Sequence, residues 1–479
     1  MGTVPCGDSP LSTFREDLNM TYAVILAGGV GSRFWPFSRE LEPKQFMKII
    51  GETSLLQSTI QRLSGVVESK NIYIVTNNIY FYEVKAQIAK FKIPDKNIIL
   101  EPQGKNTAPA VGLCAKLISK IDKDAVLLIL PSDHYIKNLD NFKRTLKKAI
   151  ACARNNLLVT IGIKPNAPSI GYGYIKVDGK KNGYLTVEKF LEKPDLNKAK
   201  KYFKDKKFFW NSGMFIWKAS VFLAEVKKYL PKLHANLQMI NSVNDIARVW
   251  PKIEAISVDY GIMEHSKQIA LIPSNFYWTD LGSWDALAEI FPKDQKGNIS
   301  SANVLHHDSQ GVCVFNWGSR LISTIGLKDV VIADTPDALL VCDRSKTQDV
   351  KKLVEKLKSL NRKERLVHLT EHRPWGSFTV LQEGVGFKTK LIEVLPGKRL
   401  SLQRHKKRAE HWVVVSGKAK VTVEKHSFMS DINRSIYVPM GKKHRLENPT
   451  NKPVRIVEVQ TGAYLEEDDI ERFHDDFKR

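Results

Sequence analysis

From Tyr22 to about Ile163 the chain alternates short apolar runs with amphipathic stretches, and this rhythm constrains the fold more than any other feature. The strand-like runs are YAVILAG (22–28), NIYIVTN (71–77), IILEP (98–102), AVLLILPSD (125–133) and LLVTIGI (157–163). Helix-like segments lie between them. One starts at Ser54, whose spacing to Gln57 makes a capping box ahead of Leu55, Leu56, Ile60 and Leu63; others run through 79–90, 107–120 and 140–153. This alternation predicts an α/β domain with a doubly wound sheet and helices on both faces, whose ligands bind beyond the carboxyl ends of the strands. At the end of the first run stands AGGVGSRFWPFSRELEPK (27–44). Its glycines 28, 29 and 31 permit a tight turn that brings Ala27 and the following backbone N–H groups against an anion. Arg33 and Lys44 add positive charge suited to a nucleoside triphosphate. The stretch is not a Walker A loop, which needs Gly-Lys-Ser/Thr, nor a dinucleotide fingerprint, which needs glycine where Phe34 stands.

A chain of 479 residues exceeds one ordinary core and predicts two or three domains. No apolar run approaches the ~20 residues of a membrane span. Residues 1–20 lack the basic start and apolar centre of a secretory signal and read as a loose extension. The five cysteines (6, 114, 152, 313, 342) are odd in number, dispersed and without a CxxC pair, which suits reduced thiols and a cytoplasmic location. The net charge of +23 is spread over amphipathic segments such as NFKRTLKKAI and DVKKLVEKLK, with no helix-turn-helix, RNP or zinc-finger pattern. It reads as solubility and attraction for phosphorylated substrates, not as nucleic-acid binding.

Residues 164 to about 290 are mixed, with GYGYIKV and LTVEKFLEKP as strands and a helix from Ala219. Around 299–343 come short β segments broken by Gly and Asp, followed by the helix DVKKLVEKLKSL. From His368 onward regular turn signals predict a small all-β barrel or jelly roll. The expected division is an extension over 1–20, an α/β domain over 21–291, a β-rich connector over 292–361 and a β-barrel domain over 362–479.

GGxGxRxxP followed by Pro43-Lys44 resembles the signature of sugar-1-phosphate nucleotidyltransferases. The resemblance extends to PSDH (131–134), WTDLGSW (278–284), GYGYI (171–175), FLEKP (190–194) and WNSGMF (210–215). With EPQGKNTAPA (101–110) and SVDYGIMEH (257–265), the set resembles mannose-1-phosphate guanylyltransferases. This implies transfer from GTP to mannose 1-phosphate, giving GDP-mannose and pyrophosphate. Asp133 and Asp280 would hold Mg²⁺, with Arg33 and Lys44 as catalytic cations. Gly171, Glu192, Lys193 and Asn211 would meet the sugar phosphate. Taken alone, a strand-end Asp is often a helix cap, and FLEKP and WNSGMF read as a hairpin and a core turn. No residue can be singled out as the reader of guanine.

In the last domain, Gln403 and His405 share one strand face, Glu410 follows, and His444 comes after a PxG turn. The spacing PG…QxH…E…G and PxG…H…N resembles the two cupin motifs, with these four groups as ligands for zinc or another divalent transition metal. RPWGSF (373–378), RAEHW (408–412) and EVQTGAYLEEDDIER (458–472) resemble type II phosphomannose isomerase, which interconverts mannose 6-phosphate and fructose 6-phosphate. Arg408, Arg472 and Arg479 are candidates for its phosphate, and His411 for its base. Where the family often has His-His, this chain has Lys406-Lys407. The whole resembles bifunctional bacterial isomerase/guanylyltransferases. A single-activity guanylyltransferase with a structural cupin and a non-catalytic sugar-nucleotide-binding regulator are the alternatives, and a homodimer is left open.

Overall fold

The structure, a computed structural model, describes residues 20–301 and 303–476. The expected extension, apart from Met20, lies outside these residues, as do Cys6 and Arg479. The chain divides into two compact units: residues up to Thr335 with Leu339–Asn361, and Arg362 onward with Pro336–Ala338.

The first unit is built on β1 (Thr21–Leu26), β2 (Ile72–Asn77), β3 (Ile98–Glu101), β4 (Val126–Pro131), β5 (Tyr135–Ile136), β6 (Leu158–Ile163), β7 (Tyr174–Lys181), β8 (Tyr184–Leu191), β9 (Phe208–Lys218), β10 (Ile269–Pro273) and β11 (Trp278–Thr279). Nine of these form one sheet in the order β3-β2-β1-β4-β9-β6-β10-β8-β7. β1 pairs in parallel with both β2 and β4, so the chain winds outward in two directions from β1. The crevice that results opens beyond the end of β1. Alternate residues of β1 serve two cores: Ala23 and Ile25 face one, Tyr22 and Val24 the other. Helices Leu55–Gln61, Phe81–Ile88 and Leu139–Ala153 cover the first face; Thr107–Ser119, Ala219–Tyr229 and Pro231–Gln238 cover the second. A strand buried on both faces needs the near-continuous apolar run seen in β1. The Ser54–Gln57 capping box is formed on both sides.

The sheet is not parallel throughout. β9, which contains WNSGMF, runs antiparallel between β4 and β6, and β7 and β8 form a hairpin. β5 and β11 pair antiparallel outside the main sheet, Tyr135 opposite Thr279, which sets the PSDH segment against the WTDLG segment.

The β-rich stretch holds β12 (Ile299–Ser300), β13 (Val304–His307), β14 (Cys313–Asn316), β15 (Ile322–Ile325), β16 (Val330–Asp334) and β17 (Leu339–Asp343). Ile299 pairs in parallel with Cys313, and Cys313 with Val331, while β13 lies parallel to β15. These segments are therefore stacked coils, closed by β17, which pairs antiparallel with β16. The helix after them is Val350–Ser359.

The second unit contains β18 (Thr370–Arg373), β19 (Gly376–Gly384), β20 (Phe387–Val394), β21 (Leu402–His405), β22 (Arg408–Ser416), β23 (Ala419–Val423), β24 (His426–Ser430), β25 (Ser435–Val438), β26 (His444–Glu447), β27 (Val454–Gly462) and β28 (Ile470–His474). They make a six-stranded sheet, β18-β19-β20-β27-β22-β25, and a five-stranded sheet, β24-β23-β26-β21-β28. Trp375, Phe378, Trp412, Val421 and Leu446 fill the core between them. This is the small cupin-like β-barrel expected from the turn spacing.

No helix of the described residues is long and apolar enough to cross a membrane.

Candidate active sites

Beyond β1 the backbone turns through Gly28 and Gly29 into a 3₁₀ turn at Ser32–Phe34. The turn is held from below by its carbonyls: Gln45 Nε2 donates to Ala27 O (3.1 Å) and Gly29 O (2.9 Å), and Thr76 Oγ1 donates to Ala27 O (2.9 Å). The amides of Gly28, Gly29, Val30 and Gly31 donate to no described residue. Ala27 does not belong with them: its amide donates to Val75 O (2.8 Å), extending the pairing of β1 with β2. Gly28, Gly29 and Val30 are exposed, so a row of N–H groups faces outward, a concavity suited to phosphate oxygens. Gly31 has φ 66°, and a Cβ there would lie 2.8 Å from Lys44 Cβ. Both the conformation and the space require glycine. Gly31→Ala is expected to cost about 2–3 kcal/mol and to raise the KM for nucleotide, measured by thermal unfolding and initial rates; an unshifted unfolding temperature would refute this.

Beneath the turn Lys44 is buried, and its ammonium has three partners: Asp133 Oδ2 at 2.8 Å, Asp280 O at 3.0 Å and Leu281 O at 2.9 Å. These use the three donors of the group. Lys44 thus joins the two segments that carry the acidic pair. Leu281 adopts φ 47°, a costly conformation for a branched residue, adjacent to the carboxylate it helps to place. Asp280 Oδ1 accepts from Tyr172 Oη (3.0 Å) and Gly282 N (2.9 Å), and Oδ2 packs against Gly282, where a Cβ would come within 2.7 Å. Burial alone would raise the Asp133 carboxyl; Lys44 and His134 beside it hold it below the usual range. His134 is pushed down to about 4 by burial and accepts from Trp278 Nε1 through Nδ1, so the neutral imidazole is the form in place. Thr59 and Arg62 fix the segment by donating to Ser132 O and His134 O. Arg33 is exposed and makes no hydrogen bond or ion pair with a described residue.

Next to Gly28 stands a carboxylate from the EPQGKNTAPA motif that the sequence alone did not single out. Glu101 ends β3 and is 5% exposed, and its Oε2 lies 3.5 Å from where a Cβ on Gly28 would be. Its Oε1 is buried without a partner, and burial pushes the group up to about 7. On the other side of the crevice Asn211 Nδ2 donates to Asp259 Oδ1 (2.8 Å), and Lys193 Nζ reaches Glu192 Oε1 (2.8 Å). Glu192 Oε2 is buried and unpartnered, and it sits where a Cβ on Gly173 would intrude. Glu264 accepts from Glu192 N. Asp259 opens a π turn, Asp259–Met263, and burial pushes its carboxyl up to about 6. Gly171 is exposed, its amide bonded to Ser169 Oγ.

In the second unit His405, Glu410 and His444 are buried, with ligand atoms all within 4.8 Å of one another. β21, β22 and β26 deliver them, and Gln403 stands directly opposite His444. His405 Nε2 lies 3.0 Å from Glu410 Oε1 and His444 Nε2 3.6 Å from Glu410 Oε2; His405 Nδ1 is buried without a hydrogen-bond partner, while His444 Nδ1 bonds to Lys442 O (3.0 Å). Buried imidazole nitrogens turned on a carboxylate fit a divalent transition metal. Gln403 Oε1 accepts from Ser401 Oγ (2.9 Å). Glu410 is ringed by donors: Trp412 Nε1 (3.1 Å), Gln460 Nε2 (3.1 Å) and, at 3.5 Å, Arg408 Nε. A cavity of about 270 Å³, lined by Gln403, Arg408, Glu410, Glu458 and Arg472 among others, adjoins the set. His411 is not part of it. Strand alternation turns it away from Glu410 to the exposed outer face, stacked on Tyr437 at 4.7 Å, which corrects its reading as a base. Lys406 and Lys407 are exposed and line no part of the cavity.

Comparison with known proteins divides the chain at similar points. The profile of the Nucleotidyl transferase family matches residues 22–297, that of the MannoseP isomerase/GMP-like beta-helix domain residues 302–357, and that of the Mannose-6-phosphate isomerase C-terminal family residues 360–475. The mannose-1-phosphate guanylyltransferase of Escherichia coli K12 is 40% identical over 473 residues, covering 96% of this chain and 98% of that protein. The chain belongs to the mannose-1-phosphate guanylyltransferase family. The xanthan biosynthesis protein XanB of Xanthomonas campestris pv. campestris is likewise 40% identical to this guanylyltransferase-family chain, over 464 residues, 95% of this chain and 98% of that one. A crystal structure titled mannose-1-phosphate geranyltransferase, from Thermus thermophilus, superposes with a TM-score of 0.63 at 28% identity, covering 71% of this chain and 99% of that one. Within the guanylyltransferase-family frame, Glu101, Tyr172 and Asp259 are the residues whose part was not seen in the sequence. Each stood inside a quoted motif, and only its neighbours across the sheet show its use.

Proposed function

We propose that the first unit transfers GMP from GTP to mannose 1-phosphate, and that the second interconverts mannose 6-phosphate and fructose 6-phosphate. The observation that carries the first reading is the row of open amides at Gly28–Gly31 above a lysine that ties Asp133 to the Asp280 loop. A phosphate oxygen of mannose 1-phosphate attacks the α-phosphorus of GTP, the bond to the bridging β-oxygen breaks, and pyrophosphate leaves. No side-chain nucleophile is needed, so catalysis rests on placement and charge. The open amides and Arg33, unpaired among the described residues, would meet the triphosphate oxygens. Lys44 would keep Asp133 ionised and the Asp280 loop closed. Asp133 and Asp280 would hold Mg²⁺, which supplies neutralisation of phosphate charge when bound. Glu192, Lys193, Asn211 and Asp259 supply donors and acceptors for a hydroxyl-rich sugar phosphate, with Gly171 at the edge.

Glu101 fits the guanine. A carboxylate accepts from paired donors, and guanine presents N1–H and its exocyclic amine side by side, where adenine presents an acceptor at N1. Glu101→Gln is expected to lower the kcat/KM preference for GTP over ATP about ten- to a hundredfold. Its ionisation should also show in the pH dependence. With Glu101 at about 7 in the empty site, GTP affinity in the parent protein falls as pH drops below 7, and this limb is absent in Glu101→Gln. The sign for stability is opposite. A carboxyl raised from 4.5 to about 7 gives stability that is complete below 4.5 and lost as pH rises through 7, so the variant gains up to about 3 kcal/mol at pH 8. An unaltered GTP/ATP ratio would remove this assignment.

For the second unit, His405, Glu410 and His444, with Gln403 beside them, would hold zinc or another divalent transition metal, which supplies Lewis acidity toward the sugar oxygens. Product analysis after incubation with a panel of nucleotides and sugar phosphates tests both readings. GDP-mannose from GTP and mannose 1-phosphate, and fructose 6-phosphate from mannose 6-phosphate, are the results expected. GTP binding without GDP-mannose would favour the regulator, and absence of fructose 6-phosphate with metal supplied would leave a structural cupin.

A further inference from the structure

The cavity of the second unit contains a cation group beyond the arginines singled out in the sequence. Lys390 of β20 is buried, with its ammonium 4.6 Å from the centre of the Phe378 ring. Arg373 lies 5.5 Å from the same ring, and Arg408 is almost fully buried beside it in the cavity wall. The partner of Lys390 is unusual for a buried lysine. Glu467 Oε1 lies 2.7 Å from Nζ, yet the Glu467 side chain is 49% exposed and stands on the short 3₁₀ turn Glu467–Asp469 at the cavity rim. A counter-ion serving only to neutralise a buried cation is expected to be buried with it, and that place is taken by Glu458, which is buried directly across from Lys390 on β27.

We propose that Lys390, Arg408 and Arg373 form the subsite for the phosphate of a phosphosugar, and that Glu467 is an internal occupant which the phosphate displaces. The proposal rests on the phosphosugar reading of this unit and adds to it where the phosphate binds and what it replaces. Burial would raise the Glu467 carboxyl, but Lys390, Arg408 and Arg373 together hold it low, so all three fields converge on the place where it sits. A phosphate brings more charge and more acceptor oxygens than one carboxylate, and so takes the place on binding. The turn itself stays anchored: Lys406 N and Lys407 N donate to Asp469, Tyr464 Oη donates to Asp468, and Arg408 Nη1 donates to Glu466 O (2.9 Å). Only the Glu467 side chain needs to swing outward. The same cavity reaches Glu410 and Gln403, so a sugar held by its phosphate at Lys390 extends toward the metal-binding set. At about 270 Å³ it is close to the lower end of small-molecule pockets, roughly 300 Å³.

Calorimetric titration of the full-length protein with mannose 6-phosphate, inorganic phosphate and unphosphorylated mannose tests this. In Glu467→Gln the Kd for both phosphate ligands is expected to fall about tenfold, with mannose unaffected. Glu467→Asp, one methylene shorter, should move the same way to a smaller extent and serves if the glutamine variant does not fold. Lys390→Met should lose the phosphate-dependent binding and reports any background from the nucleotide site. Unchanged or weaker phosphate binding in folded Glu467 variants overturns the proposal, even if mannose 6-phosphate is still isomerised. Phosphate-dependent binding that tightens in those variants, without any fructose 6-phosphate formed, would keep the subsite and end the isomerase reading.

Discussion

Lys44→Met is expected to cut GDP-mannose formation roughly 10²–10³-fold while leaving mannose 6-phosphate turnover unchanged. Methionine keeps the unbranched stem and removes the charge, so the packing of the side chain is largely retained. What is lost is a charged group that contacts both acidic segments, Asp133 through its carboxylate and the Asp280 loop through two carbonyls. Two carbonyls then lose their donor, and Asp133 keeps burial without its main neutralising partner. The loss should fall on kcat more than on the KM for GTP, because the open amides at Gly28–Gly31 and Arg33 remain. Stability of the first unit should drop by about 2–4 kcal/mol, since one partner of a largely buried ion pair has been removed. Mannose 6-phosphate turnover, proposed above for the other unit, serves as the control for intact protein. A kcat within threefold of the parent would show that the Lys44 bridge does not organise the reacting groups.

How far this arrangement could be read beforehand depended on how local its causes were. The apolar run of β1, its glycine turn and the Ser54–Gln57 cap are set by neighbours in the chain, and all three formed as the sequence predicts. That Gln403 and His405 share a face follows from strand alternation; the same rule, applied to Glu410, would have turned His411 to the opposite face, but the sequence reading offered it as a base and the structure corrects this. Lys44 was legible as an important cation, but its three partners come from segments roughly ninety and more residues away, so its bridging position was not. Glu101 and Lys390 were invisible as functional groups for a related reason. A glutamate or lysine stands out only when buried without an adequate partner, and burial arises from strands far apart in sequence. The stacked coils of β12–β16 escaped because their turns, fourteen and eighteen residues long by the Ile299, Cys313 and Val331 pairings, are too short and uneven to register as a repeat.

Removing the proposed metal ligands should separate the two proposed activities in the opposite sense. Glu410→Gln and His444→Ala are each expected to lower zinc, cobalt or manganese affinity by roughly a hundredfold or more, and to abolish isomerisation without affecting GDP-mannose formation. His405 Nδ1 and His444 Nε2 are buried with no hydrogen-bond partner, at a cost of about 1–3 kcal/mol each unless something binds them. Glu410 has donors on every side, from His405, Arg408, Trp412 and Gln460, so glutamine in its place would turn an amide N–H against another donor and lose one acceptor oxygen. The alternative is that Glu410 merely neutralises Arg408 and accepts from His405 inside a structural barrel. The two cases differ in a measurement that does not depend on turnover. If a metal belongs here, added Zn²⁺, Co²⁺ or Mn²⁺ raises the unfolding temperature of the second unit in a concentration-dependent way, by about 2.7 kcal/mol of stability at a hundred times Kd, and the shift disappears in both variants. A structural ion cluster would instead give no shift in the parent protein and less than one equivalent of metal after dialysis, and Glu410→Gln would then destabilise the barrel with or without metal present.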